Sequence, residues 1–287
     1  ISGGDDEVKP ADLVSIDEEV RLRRVWSVNI GDGQGKKYNR LKSAITGDVI
    51  FVASSNGNVF ALNRENGNRI WRTRLDDVIT GGVGVGGGLV LVGTENSRVI
   101  ALDAETGQQQ WDTEVSSEVL SAPATDGEVV VVMAVDGKLS GHDASSGEEI
   151  WTYESTVPAL TLRGTSSPLI LDNFLLAAFG NGTVVSLALD NGTLRWEERV
   201  AIPTGTSEID RIVDIDGDLF IGDNGQLLVP SFQGYLAAID VITGQTRWRV
   251  RESSANGASS GFGNIYISDD RGHVKAYRTG EEDVVWS

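Results

Sequence analysis

The stretch Ala101-Leu-Asp-Ala-Glu-Thr-Gly-Gln-Gln-Gln-Trp111 decides the fold, because the chain writes it repeatedly. Ala61-Leu-Asn-Arg-Glu-Asn-Gly-Asn-Arg-Ile-Trp71 and Ala238-Ile-Asp-Val-Ile-Thr-Gly-Gln-Thr-Arg-Trp248 follow the same eleven-residue frame, and degraded copies run from Gly141 to Trp151, Ser186 to Trp196 and Ala276 to Trp286. Each copy reads as a strand, a tight turn in which glycine supplies positive φ, and a return strand carrying tryptophan. All seven tryptophans, Trp26, Trp71, Trp111, Trp151, Trp196, Trp248 and Trp286, belong to the pattern, at spacings of 45, 40, 40, 45, 52 and 38 residues.

Two further strand-like runs precede the phrase in each period, for example Gly82 to Val85 and Leu89 to Gly93, or Val119 to Ala124 and Val129 to Ala134. Each period is then four antiparallel strands, A to D, with tryptophan on D. A period near 40 residues built this way is a β-propeller blade, so the expected class is all-β. One such sheet cannot cover both its faces, so blades stack around an axis and each indole fills the gap to its neighbour. Burying an indole is worth roughly 4–6 kcal/mol as an upper bound.

The strand count is uneven. Arg21 to Ile30, around Trp26, is a D strand with no A, B or C before it, and six A-B-C sets follow, the chain ending just inside the last D. Two readings stand: a ring of at least seven blades whose C-terminal blades are missing from this chain, or a closed six-bladed ring with the first D as an extra edge strand. Residues 1–19, acidic from Asp5 to Glu19, read as a flexible tether, and 20–287 as the propeller.

Composition narrows the function. The net charge is −18, from 24 Lys+Arg against 42 Asp+Glu, which repels phosphate backbones and makes nucleic acid a poor partner. There is no cysteine, hence no disulfide, thiolate metal site or cysteine nucleophile in these residues. No run reaches the ~18 apolar residues that span a bilayer.

Insertions carry recognition in a propeller, and the two informative ones lie in consecutive D-to-A connections, which emerge on one face. They are Ser155 to Pro168 and Val200 to Asp218. If the first is extended, Leu160 and Leu162 point one way and Arg163 the other, while Asp214 and Asp216 share a side. Two leucines beside an arginine, rimmed by acids, suit an interaction hot spot. The alternative is that both leucines are core and Arg163 pairs internally with an aspartate.

The blade phrase is similar to the repeat of the pyrroloquinoline-quinone-type propellers. More narrowly, Leu160-Thr-Leu-Arg-Gly-Thr-Ser-Ser-Pro168 and Gly205-Thr-Ser-Glu-Ile-Asp-Arg211, with Asp214-Ile-Asp216 after it, resemble signature segments of the BamB family of bacterial outer-membrane β-barrel assembly lipoproteins. The resemblance runs from about Trp26 to Ser287. It implies an eight-bladed, non-enzymatic scaffold without cofactor, held by a lipid anchor at the periplasmic face of the outer membrane. It further implies that Leu160, Leu162, Arg163, Asp214 and Asp216 bind a periplasmic domain of BamA, the barrel-forming subunit. The scaffold then assists outer-membrane proteins to fold and insert, and an unfolded barrel precursor could add a strand to a blade edge. The anchoring cysteine and roughly two C-terminal blades of the family pattern are not in this chain. Two other functions remain to be separated: a quinone-dependent dehydrogenase on the same scaffold, whose usual cysteine pair this chain lacks, and a protein-binding propeller with another client.

Other signals carry less. Gly82-Val-Gly84-Val-Gly86-Gly87 matches a dinucleotide fingerprint, but a strand and not a helix follows it. Asp214-Ile-Asp216-Gly217-Asp218 lacks the further ligands of a calcium loop, so no metal site is expected. His142 and His273 sit at similar-looking C-strand positions and read as surface or packing residues. Asn181-Gly-Thr183 and Asn191-Gly-Thr193 match glycosylation sequons, though turn chemistry explains both.

Overall fold

A computed structural model describes residues 20–37, 39–156, 165–201, 214–215, 217–280 and 283–286. They form six four-stranded antiparallel sheets, each built from strands consecutive in sequence. The first blade is β1 (Ala44–Thr46), β2 (Val49–Ser54), β3 (Asn58–Asn63) and β4 (Arg69–Arg74). The second is β5 (Ile79–Gly86), β6 (Leu89–Thr94), β7 (Arg98–Asp103) and β8 (Gln109–Glu114). The third is β9 (Ala124–Thr125), β10 (Val129–Met133), β11 (Lys138–Asp143) and β12 (Glu149–Glu154). The fourth is β13 (Leu169–Leu171), β14 (Phe174–Ala178), β15 (Thr183–Ala188) and β16 (Leu194–Arg199). The fifth is β17 (Phe220–Ile221), β18 (Gln226–Pro230), β19 (Tyr235–Asp240) and β20 (Thr246–Arg251). The sixth is β21 (Ser259–Gly261), β22 (Asn264–Ser268), β23 (Val274–Arg278) and β24 (Val284–Trp286).

The middle strands are buried on both faces because alternate side chains enter different inter-blade cores. In β10, Val130 and Val132 pack against the second blade with Trp111, while Val129, Val131 and Met133 pack against the fourth with Trp151. In β18, Leu227 and Val229 join the core shared with the fourth blade and Leu228 that shared with the sixth. Five such cores link the six blades in order, first to second through fifth to sixth. Among the described residues no buried apolar cluster joins the sixth blade to the first. The segment around Trp26 pairs with no strand among them either.

The turn of the phrase is held by its own aspartate. Asp103 Oδ1 accepts the amides of Glu105 and Thr106, at 3.1 and 2.8 Å, and the Thr106 hydroxyl at 2.7 Å. Asp143 and Asp240 do the same in later blades. Gly107 then takes φ +72, and its missing side chain matters twice. A Cβ there would lie 2.6 Å from the ring of Trp71 in the preceding blade. The indole Nε1 of Trp71 donates to the carbonyl of Ala104 at 2.9 Å, and Trp111, Trp151 and Trp196 bond Ala144, Leu189 and Val241 likewise. Each of these four tryptophans thus locks its blade onto the turn of the next.

The inner strands show two departures from a regular ladder. The third blade's A strand is only Ala124–Thr125, and upstream of it the Val119 carbonyl accepts the Thr80 hydroxyl at 2.7 Å. The glycine string of β5 is a packing surface and not a nucleotide cradle: a Cβ on Gly84 would lie 1.9 Å from the Pro123 carbonyl oxygen. Glycine lets the two blades' inner backbones touch.

Candidate functional site

In a four-stranded antiparallel blade the B-to-C turns and the D-to-A connections share one face. On that face, one dipeptide of the fourth blade's B-to-C turn holds the departing ends of both insertions. The Asn181 side-chain amide donates to the Ser155 hydroxyl at 3.1 Å and to the Thr156 carbonyl at 3.0 Å. The neighbouring Gly182 carbonyl accepts the amides of Val200 and Ala201, at 2.9 and 3.2 Å. Asn181 also takes the Thr183 amide on its own oxygen, which orients the side chain. The two insertions therefore leave side by side.

Their returning ends are anchored too. Thr165 to Pro168 leads into β13, and Ser166 is buried. The Asp214 carbonyl accepts the amide of Phe232, in the fifth blade's B-to-C turn, at 2.9 Å. Asp214 itself is 0% exposed and the adjacent Ile215 is 1% exposed. An extended segment alternating between surface and interior would not bury both. The expected surface position of Asp214 is thus corrected: it points into the protein, where a carboxylate is tolerable only when held by partners. Leu160, Leu162, Arg163 and Asp216 lie outside the described residues, as does the tether of residues 1–19.

The tryptophans fall into two groups. Trp71, Trp111, Trp151 and Trp196 form the interlocks described above. Trp248 is buried but gives its indole N–H to the Gln226 side chain of its own blade at 3.3 Å, and Trp286 is largely exposed against Tyr266, ring centroids 5.9 Å apart.

The histidines are not equivalent. His142 stands on β11 where other blades have Leu62, Leu102, Leu187 or Ile239, and it is 1% exposed. Its Nδ1 lies 3.1 Å from the Gly147 carbonyl and its Nε2 2.8 Å from the Ser140 hydroxyl. A carbonyl only accepts, so the proton sits on Nδ1 and Ser140 donates to Nε2. Burial pushes its pKa below the ordinary histidine value. His273 instead precedes β23 in an exposed turn, with Nδ1 3.0 Å from Asp269 Oδ2.

A charged cluster that sequence reading missed lies on the same face, between the fifth and sixth blades. Lys275 Nζ donates to both oxygens of buried Glu252, at 2.9 and 2.8 Å, and lies 3.3 Å from Asp269. The Tyr277 hydroxyl donates to Glu252 at 2.6 Å, and burial, then Glu252, raise its pKa. Glu252, Asp269 and Lys275 line an open cavity of about 650 Å³ with Arg251 and Arg271. The available signal was Lys275 and Tyr277 at β23 positions where the first two blades carry Phe60 and Leu62, and Ile100 and Leu102. Among the described residues no group of acids and histidines is arranged to hold a metal ion.

The family model described as outer membrane protein assembly factor BamB matches residues 18–79 and 55–287. The outer membrane protein assembly factor BamB of Pseudomonas aeruginosa is 56% identical over 282 residues, 98% of this chain and 74% of that protein. That of Legionella pneumophila is 44% identical over 99% of this chain and 71% of its own length. The crystal structure of BamB from Moraxella catarrhalis superposes with a TM-score of 0.80 at 32% identity, covering 86% of this chain and 74% of that one. A europium-containing methanol dehydrogenase matches with a TM-score of 0.64 at 16% identity, which shows a shared fold alone.

Proposed function

The chain belongs to the BamB family of outer membrane protein assembly factors, and from that premise we propose that it docks on a periplasmic domain of BamA through its two long D-to-A connections. Its family is one of assembly factors, and the quinoprotein dehydrogenases share only the propeller. The reading places Leu160 and Leu162 as the apolar anchor and Arg163 and Asp216 as the polar rim. Asp214, being buried, acts as a positioning group beneath them. It also puts the docked chain at the periplasmic face of the outer membrane, without cofactor, reached through a lipid anchor outside these residues.

The observation that carries the proposal is the Asn181-Gly182 bracket. By holding both departures on one turn it supports a single recognition surface made from two segments about 45 residues apart in sequence, since neighbouring blades present neighbouring loops. Capture of the purified chain by an immobilised BamA periplasmic domain tests it. Arg163→Glu should abolish capture while circular dichroism and the thermal midpoint stay as in the parent chain. Undiminished capture by that variant would refute the assignment, and no capture of the parent chain would point to a different client.

A further inference from the structure

We propose that Arg40 and Lys42 form a clamp across the propeller axis that positions the returning ends of both insertions, and so preorganises the docking face; this rests on the docking reading above. The segment entering the first blade does not stay beside that blade. Lys42 exchanges two backbone bonds with the second blade's inner strand, its amide donating to Gly82 and its carbonyl accepting from Val83, both at 2.9 Å. Held there, the two side chains reach the opposite side of the arc. Arg40 Nη1 donates to the carbonyl of Ala255 at 2.8 Å, between the fifth and sixth blades. Lys42 pairs with Asp218, the last residue of the second insertion.

The first insertion ends at the same place. Thr165 and Ser167, on its return to β13, line a small axial cavity of about 20 Å³ together with Arg40, Lys42 and Asp218. The two insertions thus depart from one bracket, at Asn181-Gly182, and return to one hub beside the clamp. A run of four basic residues among Lys36–Lys42, in a chain of net charge −18, is the sequence mark of this segment.

The clamp fits a positioning role better than a stabilising one. Lys42 and Asp218 side chains are 54% and 39% exposed, and ion pairs so solvated add little to folding stability. Yet apolar cores join the blades only in series among the described residues, so small errors in blade angle add up along the arc. A direct tie from the first and second blades to the fifth fixes their separation in a way the serial cores do not. Preorganised segments bind more tightly because less ordering remains to be done on association.

The test is a charge swap. Lys42→Glu should weaken capture by the BamA periplasmic domain about tenfold, with an unchanged thermal midpoint, and Lys42→Glu/Asp218→Lys should restore it. Parent-like binding by Lys42→Glu, or no recovery in the double variant, would overturn the clamp. If the parent chain fails to bind BamA, the docking reading falls, and the clamp is judged separately by amide exchange. Exchange at residues 165–167 and 214–219 should quicken in Lys42→Glu and revert in the double variant while β6 and β7 stay protected. Unchanged exchange there would reject it.

Discussion

The indole nitrogen of Trp26 donates to the carbonyl of Arg64 at 2.9 Å, although Trp26 lies in a segment paired with no strand among the described residues. The bond is the one Trp71 makes to Ala104, and a Cβ on Gly67 would meet the Trp26 ring at 2.6 Å as one on Gly107 would meet Trp71. The interlock therefore needs only the tryptophan and the next blade's turn. It forms although the Trp26 segment belongs to none of the sheets among the described residues, and Leu22 in that segment is 91% exposed.

Gly107 and Gly88 separate the two demands made on a turn glycine. Both have positive φ, but nothing lies within 4 Å of a Cβ on Gly88. Gly88→Ala should cost about 1 kcal/mol from backbone strain alone, and Gly107→Ala about 1–3 kcal/mol more, from displacing Trp71. Urea denaturation of the two variants measures the difference, and equal midpoints would contradict the interlock.

Trp111 and Trp248 are both buried, yet only Trp111 bonds the following blade. Trp111→Phe should lose about 1 kcal/mol for an orphaned carbonyl at the turn, and Trp248→Phe less, since the Gln226 side chain can turn elsewhere. Thermal unfolding of the pair reads this out.

His142 gives the fold a pH dependence near neutrality. Its pKa is lowered in the folded chain, first by burial, so the unfolded state binds the proton more readily. Its contribution is full above the unfolded value of about 6.5 and is lost as pH falls below it. Denaturation midpoints should drop between about pH 7 and 5 in the parent chain, and His142→Leu, which restores the residue type of the neighbouring blades, should flatten that drop.

Lys275 neutralises Glu252, whose side chain is only 7% exposed, while its own is 24% exposed. Lys275→Met should cost about 3–5 kcal/mol, and adding Glu252→Leu should recover much of it, because the damage comes from a buried charge left alone. Acid titration adds an independent check. Burial opposes ionisation of Asp269, but hydrogen bonds from the His273 amide and ring, then Lys275, outweigh it and hold the pKa at about 2. Its stabilisation is present above about pH 4 and lost as pH falls toward 2, so Asp269→Asn should flatten that limb.

Much of this was legible along the chain. Spacing of Trp26 to Trp286 and the Asp-x-x-Thr-Gly turn are local regularities, and a repeat writes its architecture in sequence because every unit solves the same packing problem. Strand pairing within blades and the adjacency of the two insertions follow from that count.

Contacts between units separated by most of the chain were decided by the tertiary structure. Asp214 looked like the outward partner of Asp216, but its side chain is buried and its carbonyl takes the amide of Phe232. His142 and His273 looked alike until one replaced a core leucine and the other entered a turn. Arg40 meets Ala255 across 215 residues, a distance no periodicity encodes. A repeat determines what each blade is, because its pattern is local; how blades are tied across the axis depends on side chains brought together only when the arc closes around them.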